Sequence, residues 1–342
     1  MNFSSDLSYS YIPQYALLFF LLFRVVRSSK GLCLQAYITL VILLFFSTLS
    51  FGLGKYFDYS VNYKGVLASF LVVIFYYGYQ SISIRFILRI SLGILMLEYF
   101  IAYFILQEFH LIRYFFGLPL IRPMGVFADI HLTACFFVLA FFVILRRHFM
   151  SGVFGLLFMN LQALLMWFIM ACASLSRRIL SSVFLIMIAG GVLFLILVKT
   201  GYLVEEGHYS LWQLFERLSM FDFGDLNSAC LVFGCSTNWQ QASEVANFAP
   251  DGHSILDDIG YINILYQFGL FWALIFIYKI YKLNKIVATA VLFSSFHYAV
   301  FFGFLGIALS ISIAKEAFLS KPKKPDRSAL PLSRTAVLRP GR

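Results

Sequence analysis

The sequence predicts an all-α fold, a polytopic α-helical integral membrane protein of about nine or ten transmembrane helices with one large external loop. Three observations point there. Of 342 residues, 61% are hydrophobic and 12% charged. A soluble domain carries roughly 25% charged residues, so this chain has too little polar side chain to coat a water-facing surface. Apolar runs recur from end to end at lengths near the ~20 residues that cross a bilayer core. They lack the strict alternation of barrel strands, which leaves helices as the crossing elements.

The first apolar run, 16–23, is followed and not preceded by Arg24, Arg27 and Lys30. That order reverses a secretory signal, so a retained helix is expected over 11–26 with its C-terminal end cytoplasmic. Further spans are expected at 32–53, 65–80, 90–107, 126–145, 152–174, 179–199 and 262–281. The stretch 286–314 is long enough for one long helix or two short ones. Residues 315–342 hold eight Lys or Arg with Pro and Ser and no apolar periodicity. They read as a disordered cytoplasmic tail drawn to anionic headgroups. No folded basic face supports a nucleic-acid partner.

Residues 201–262 stand apart. They carry nine of the sixteen acids and a single basic residue, Arg217. Cytoplasmic loops accumulate Lys and Arg, so this composition fits an external loop. Within it, LWQLFERL (211–218) has apolar residues at helical spacing and reads as an interfacial amphipathic helix. The organisation is therefore helices over 1–200, a loop over 201–262, helices over 263–314 and a tail over 315–342. Cys33, Cys135 and Cys172 lie in apolar runs as small hydrophobes. Cys230 and Cys235 share the loop and could pair in an oxidising compartment. Neither His nor Cys recurs at metal-ligand spacing, so no metal or other cofactor is indicated.

The topology does not close on these spans. With Arg24, Arg85, Arg89, Arg146 and Arg147 inside, Arg177 and Arg178 fall outside. The chain must then cross an even number of times before the loop, with about 22 apolar residues available. Either the Gly190 and Gly191 pair breaks that run into a short hairpin, or Arg177 is cytoplasmic and an earlier span is miscounted.

Ionisable groups among membrane helices cost several kcal/mol and are functional candidates by default. Four patches hold them: IRPMGVFADIHLTACF (121–136), ACASLSRRILSS (171–182), Arg217 in its loop, and DGHSILDDIGYINILYQFG (251–269). Bland roles compete at each. Arg177 and Arg178 could anchor helices at the headgroups by snorkelling. Arg217 could pair with Glu216 or Asp222. Asp257 and Asp258 precede an apolar run, where carboxylates cap free amides. His131 reads as a hydrogen-bonded packing residue, and Glu98 as an interior-facing acid without an evident partner.

Taken in order, these patches resemble the O-antigen polymerase and ligase family of bacterial surface-polysaccharide assembly. Arg122, Gly125 and Phe127 match an R-x-x-G-x-F element leading a helix, and Ser176 with Arg177 matches an S-R after an apolar span. Arg217 precedes LVFGCS (231–236), where Cys235 replaces the second glycine of the family's turn. Asp258, Gly260 and Tyr261 match the D-x-G-Y version of the closing motif, with Gly269 eleven residues on. The resemblance covers roughly residues 120–285. It implies a glycosyltransferase of the inner membrane, its main loop periplasmic, whose substrate is a polyprenyl-diphosphate-linked oligosaccharide. A flippase and a chain-length regulator are further partners to expect beside the membrane lipids. A departing diphosphate develops negative charge that arginine can match bidentately without a metal. Arg217 and Arg177 are the expected catalytic arginines, and Asp258 or His253 the base for the acceptor hydroxyl. Arg122, Arg178, Asp257 and Tyr261 would bind diphosphate and glycan.

Three alternatives remain. A ligase would pass finished glycan to lipid A core and is expected to carry histidine where Asp258 stands. A transporter or flippase of lipid-linked sugars usually shows internal repeats, and none is visible. A membrane acyltransferase would centre on an embedded histidine, for which His131 and His297 are the candidates.

Overall fold

The computed structural model describes residues 12–28, 33–56, 63–78, 83–101, 112–115, 118–121, 124–127, 129–158, 160–174, 268–295 and 299–320, with isolated positions at 104, 232, 234, 260, 264 and 265. These form ten α-helices: α1 Ile12–Ser28, α2 Leu34–Tyr56, α3 Tyr63–Tyr77, α4 Ile84–Phe100, α5 Ile130–Val143, α6 His148–Leu157, α7 Leu161–Ser174, α8 Leu270–Leu283, α9 Lys285–Ser294 and α10 Phe304–Leu319. The described fold is helical apart from one antiparallel hairpin, β1 Ile112–Phe115 with β2 Leu118–Ile121, in register Ile112 to Ile121 and Phe115 to Leu118.

Two helices carry the core. All residues from Leu132 to Phe142 of α5 are buried, as are Leu305 to Ala314 of α10. Over these stretches neither helix carries a charged side chain and both are buried all round, the signature of a helix enclosed by others. Phe137 of α5 meets Phe154 at 5.3 Å and Phe158 at 5.5 Å between ring centroids, which zips α5 to α6. Trp272 and Phe276 of α8 pack on Phe302, in the 3-10 turn that precedes α10, at 5.8 and 5.1 Å.

The order of the helices alternates in direction, and specific bonds fix their ends. Thr39 near the start of α2 lies 3.0 Å from the Tyr77 hydroxyl at the end of α3, which accepts Lys279 Nζ from the end of α8 at 2.6 Å. Lys315, near the end of α10, donates to Phe75 O and Gly78 O at the end of α3. At the other end of the bundle, Glu98 closes α4 against the turn that starts α5. The Asn160 side chain before α7 meets His131 at the start of α5, and Gln162 Nε2 donates to Ser294 O at the end of α9.

The chain expected to cross once over 152–174 is instead two antiparallel helices, α6 and α7. Their connection is capped by Asn160, whose Oδ1 accepts Ala163 N–H at 3.0 Å. Trp167 Nε1 donates to His148 O at 2.8 Å and holds the pair together. The stretch 286–314 is likewise two helices, α9 and α10, the second of the two forms anticipated. Expected spans of about twenty residues are not met: nine of the ten described helices have 10 to 17 residues. Helix α2 has 23 residues but its last ten read STLSFGLGKY. Among the described residues no helix is long and apolar enough to cross a membrane. The span expected at 179–199 and the loop over 201–262 lie outside the described residues, save positions 232, 234 and 260.

Cations sort strongly along this frame. Arg24 and Arg27 stand in the last turns of α1, Arg85 and Arg89 in the first turns of α4, and Arg146 and Arg147 between α5 and α6. Lys279, Lys282 and Lys285 flank the α8–α9 junction and Lys315 the end of α10. All ten occupy one end of the bundle, here called the cationic end. Lys55 and Lys64, at the end of α2 and the start of α3, are placed at the other.

Candidate functional site

Opposite the cationic end, β2 leads into a tight turn built from the sequence motif. Gly125 has φ +62°, in the left-handed region, and a Cβ there would meet Thr133 Cγ2 and Oγ1 at 2.9 Å. Only glycine fits both demands. Its N–H donates to Glu98, whose two oxygens lie 2.9 and 3.0 Å away, so the carboxylate receives the turn's free amide. Thr133 Oγ1 donates to Met124 O at 2.6 Å, and Asp129 N–H to the same oxygen at 3.2 Å. Phe127 is fully buried and meets Phe136 edge-on at 4.8 Å. The glycine and the phenylalanine of the motif are therefore a hinge-free turn and its anchor.

Helix α5 begins directly behind this turn. Asp129 is its N-cap, with Oδ1 accepting Leu132 N–H at 2.8 Å. His131 Nδ1 lies 3.0 Å from Asn160 Nδ2. Because Asn160 Oδ1 is committed to Ala163 N–H, its amide nitrogen faces the ring and must donate. Nδ1 then accepts, which places the proton of the neutral ring on Nε2. His131 joins the starts of α5 and α7, the hydrogen-bonded packing role anticipated for it.

The three carboxylates whose side chains are described, Glu98, Asp129 and Glu316, share one habit: each accepts a backbone N–H at the start of a turn or helix. They shape the scaffold. Among the described residues no group of three or more His, Cys, Asp or Glu gathers as a metal site.

The residues expected to carry glycosyl transfer are not among those described. Arg122, Arg177, Arg178, Arg217, His253, Asp257, Asp258 and Tyr261 are outside the described residues, as are His297, Cys230 and Cys235. The structure does place their neighbours. Met124, two residues after Arg122, starts the motif turn. Gly269, eleven residues after Asp258, has φ +84° and donates its N–H to Ile264 O and Leu265 O before α8 begins. Gly65 near the start of α3 approaches Phe268 O, which puts Gly269 at the same end of the bundle as Gly125. Cys135 and Cys172 are buried as expected of small hydrophobes, whereas Cys33 is exposed at the start of α2.

Sequence reading missed Asn160, Thr133 and the partner of Glu98. A lone Asn in an apolar run was a usable signal for the first. The others depend on contacts between chain segments. Fold and turn together define a helical bundle of alternating direction, with most of its described cations at one end and the motif turn at the other. No protein-family model, curated protein or solved structure matches the chain.

Proposed function

We propose that this chain is a polytopic inner-membrane glycosyltransferase that polymerises polyprenyl-diphosphate-linked oligosaccharide units, as O-antigen or capsule, at the periplasmic face. The observation that carries it is the separation of the bundle's two ends: exposed cations crowd one, and the motif turn and Gly269 meet at the other. Apolar side chains on the outer faces support the bilayer setting, among them Phe19 (70% exposed), Val41 (64%) and Leu274 (59%). Helices shorter than the hydrocarbon core are accommodated by local thinning and by snorkelling of the Lys and Arg at their ends.

This reading also closes the topology. The break at Asn160 returns the chain once more, so α7 ends at Ser174 on the cationic end, which this reading takes as cytoplasmic by its charge. The run 179–199 then crosses once, and the acidic loop opens on the side of the motif turn. Arg177 and Arg178 become headgroup anchors, while Arg122, Arg217, Asp258 and His253 remain for the chemistry. In that chemistry the acceptor hydroxyl attacks the anomeric carbon, its proton passes to Asp258 or His253, and the bond to the diphosphate breaks. Arginine takes up the charge left on the leaving oxygens.

The test is the length distribution of surface glycan in a strain lacking the gene, complemented with wild type, Arg217→Ala or Arg177→Ala. A ladder collapsed to one anchored repeat, restored by wild type and by Arg177→Ala but not by Arg217→Ala, is the expected result. Unanchored polymer would mean a ligase. A normal ladder in the deletion strain would overturn the glycan reading.

A further inference from the structure

The α8–α9 junction carries Lys279, Lys282 and Lys285 at three-residue intervals, each beside a tyrosine ring. Lys279 Nζ stands 4.9 and 4.8 Å from the ring centroids of Tyr76 and Tyr77, Lys282 5.3 Å from Tyr278, and Lys285 5.2 Å from Tyr281. Lys279 is also fixed by the Tyr77 hydroxyl at 2.6 Å. Cation–π contact holds an ammonium in place without neutralising it. The sequence has no Asp or Glu from 259 to 315, and among the described residues no carboxylate pairs with these lysines.

One of them contradicts local electrostatics. Lys285 is the first residue of α9, where the helix dipole favours a negative group, and no acid occupies that first turn. Asn284 caps the helix by accepting Ile286 N–H at 3.0 Å and Val287 N–H at 3.3 Å, so the turn is rigid. A cation at a capped N-terminus with no anion nearby among the described residues is a local conflict of the kind that functional sites retain. An anion docked there would relieve it.

We infer that the Lys279–Lys282–Lys285 junction is a binding site for the anionic headgroup of a phospholipid in the cytoplasmic leaflet. The lysines supply the phosphate contacts and the tyrosines sit at headgroup depth, where amphipathic rings collect. Exposed Leu274, one turn before Tyr278, continues the surface towards the acyl region. The inference rests on the membrane reading above and adds a ligand to it.

The full chain, purified in neutral detergent, is titrated with short-chain phosphatidylglycerol, with phosphatidylcholine or with inorganic phosphate, and its Tm is followed. Phosphatidylglycerol is expected to raise Tm with an affinity that weakens as salt is added; phosphatidylcholine and phosphate are expected to leave it unchanged. Lys282→Gln with Lys285→Gln should weaken that affinity at least tenfold, on the order of one kcal/mol per lysine at a charged surface. Arg at both positions should restore it, which separates loss of charge from loss of fold. Equal response to both lipids, an unaffected Gln variant, or phosphate acting as well as the lipid would each overturn the site. A chain that stays monodisperse without detergent would overturn the membrane reading itself.

Discussion

Lys315 and Glu316 are neighbours on α10 and hold opposite ends of two consecutive helices. Lys315 Nζ donates to Phe75 O at 2.9 Å and Gly78 O at 2.5 Å, at the C-terminal end of α3. Glu316 accepts Ile84 N–H at 2.5 Å and the Ser83 hydroxyl at 3.2 Å, at the start of α4. Each charge sits at the helix end whose dipole it complements. One dipeptide thereby closes the α3–α4 connection onto a central helix and fixes α4, whose far end presents Glu98 to the motif turn.

Removing Glu316 should therefore be felt as the loss of a charged cap. Glu316→Ala is expected to lower stability by about 1–2 kcal/mol, and Glu316→Gln by less, because the amide oxygen still accepts. The contact with Arg85 contributes little, at 3.9 Å and with Arg85 largely exposed. Thermal unfolding in detergent measures both, and an unchanged Tm for the alanine variant would show the cap to be dispensable.

Gly125→Ala combines a disfavoured φ with contact against Thr133, each costing on the order of 1–3 kcal/mol. Complementation of glycan length is expected to fall together with Tm. Adding Thr133→Ala should recover the packing part and leave the φ part. The two effects would then couple by more than about 0.5 kcal/mol in a double-mutant cycle. Simple additivity would place Thr133 away from the turn.

Asn160→Asp keeps the oxygen that caps α7 and replaces the donor facing His131 with an acceptor. The His131 ring should respond by moving its proton to Nδ1, visible in the imidazole 15N shifts, with little change in Tm. Asn160→Leu loses cap and ring contact together and should cost about 2 kcal/mol. Identical 15N shifts in wild type and Asn160→Asp would refute the assigned tautomer.

Sidedness can be read with single cysteines in a background free of the native five. Arg147→Cys, Ser174→Cys and Lys285→Cys should resist a membrane-impermeant maleimide in whole spheroplasts and react after permeabilisation. Met124→Cys and Gly303→Cys should react from outside. External labelling of Ser174→Cys but not of Arg147→Cys would restore the single span at 152–174 and return Arg177 to the outer face.

Much of the helical architecture was legible because it is a matter of composition and run length. Helices α1, α2, α3 and α5 fall within a few residues of their expected spans, and the split of 286–314 was one of two forms its length allowed. The 152–174 run misled because hydropathy is blind to direction: two short antiparallel helices and one long one have the same average. The difference lies in Asn160, whose side chain starts α7 and meets His131, 29 residues away along the chain.

The same limit governs the site. The sequence alone determined where apolar and charged residues alternate, and that one segment concentrates acids, since these depend only on residue order. Tertiary structure decided which charges are already spent. Glu98 meets Gly125, and Glu316 meets Ile84, through contacts that join segments 27 and 232 residues apart, and no local pattern can encode such partners. Packing of α5 and α10 at the centre also decided direction, sending ten of the described cations to one end and the motif turn to the other, because each buried helix must bring its polar ends to opposite surfaces.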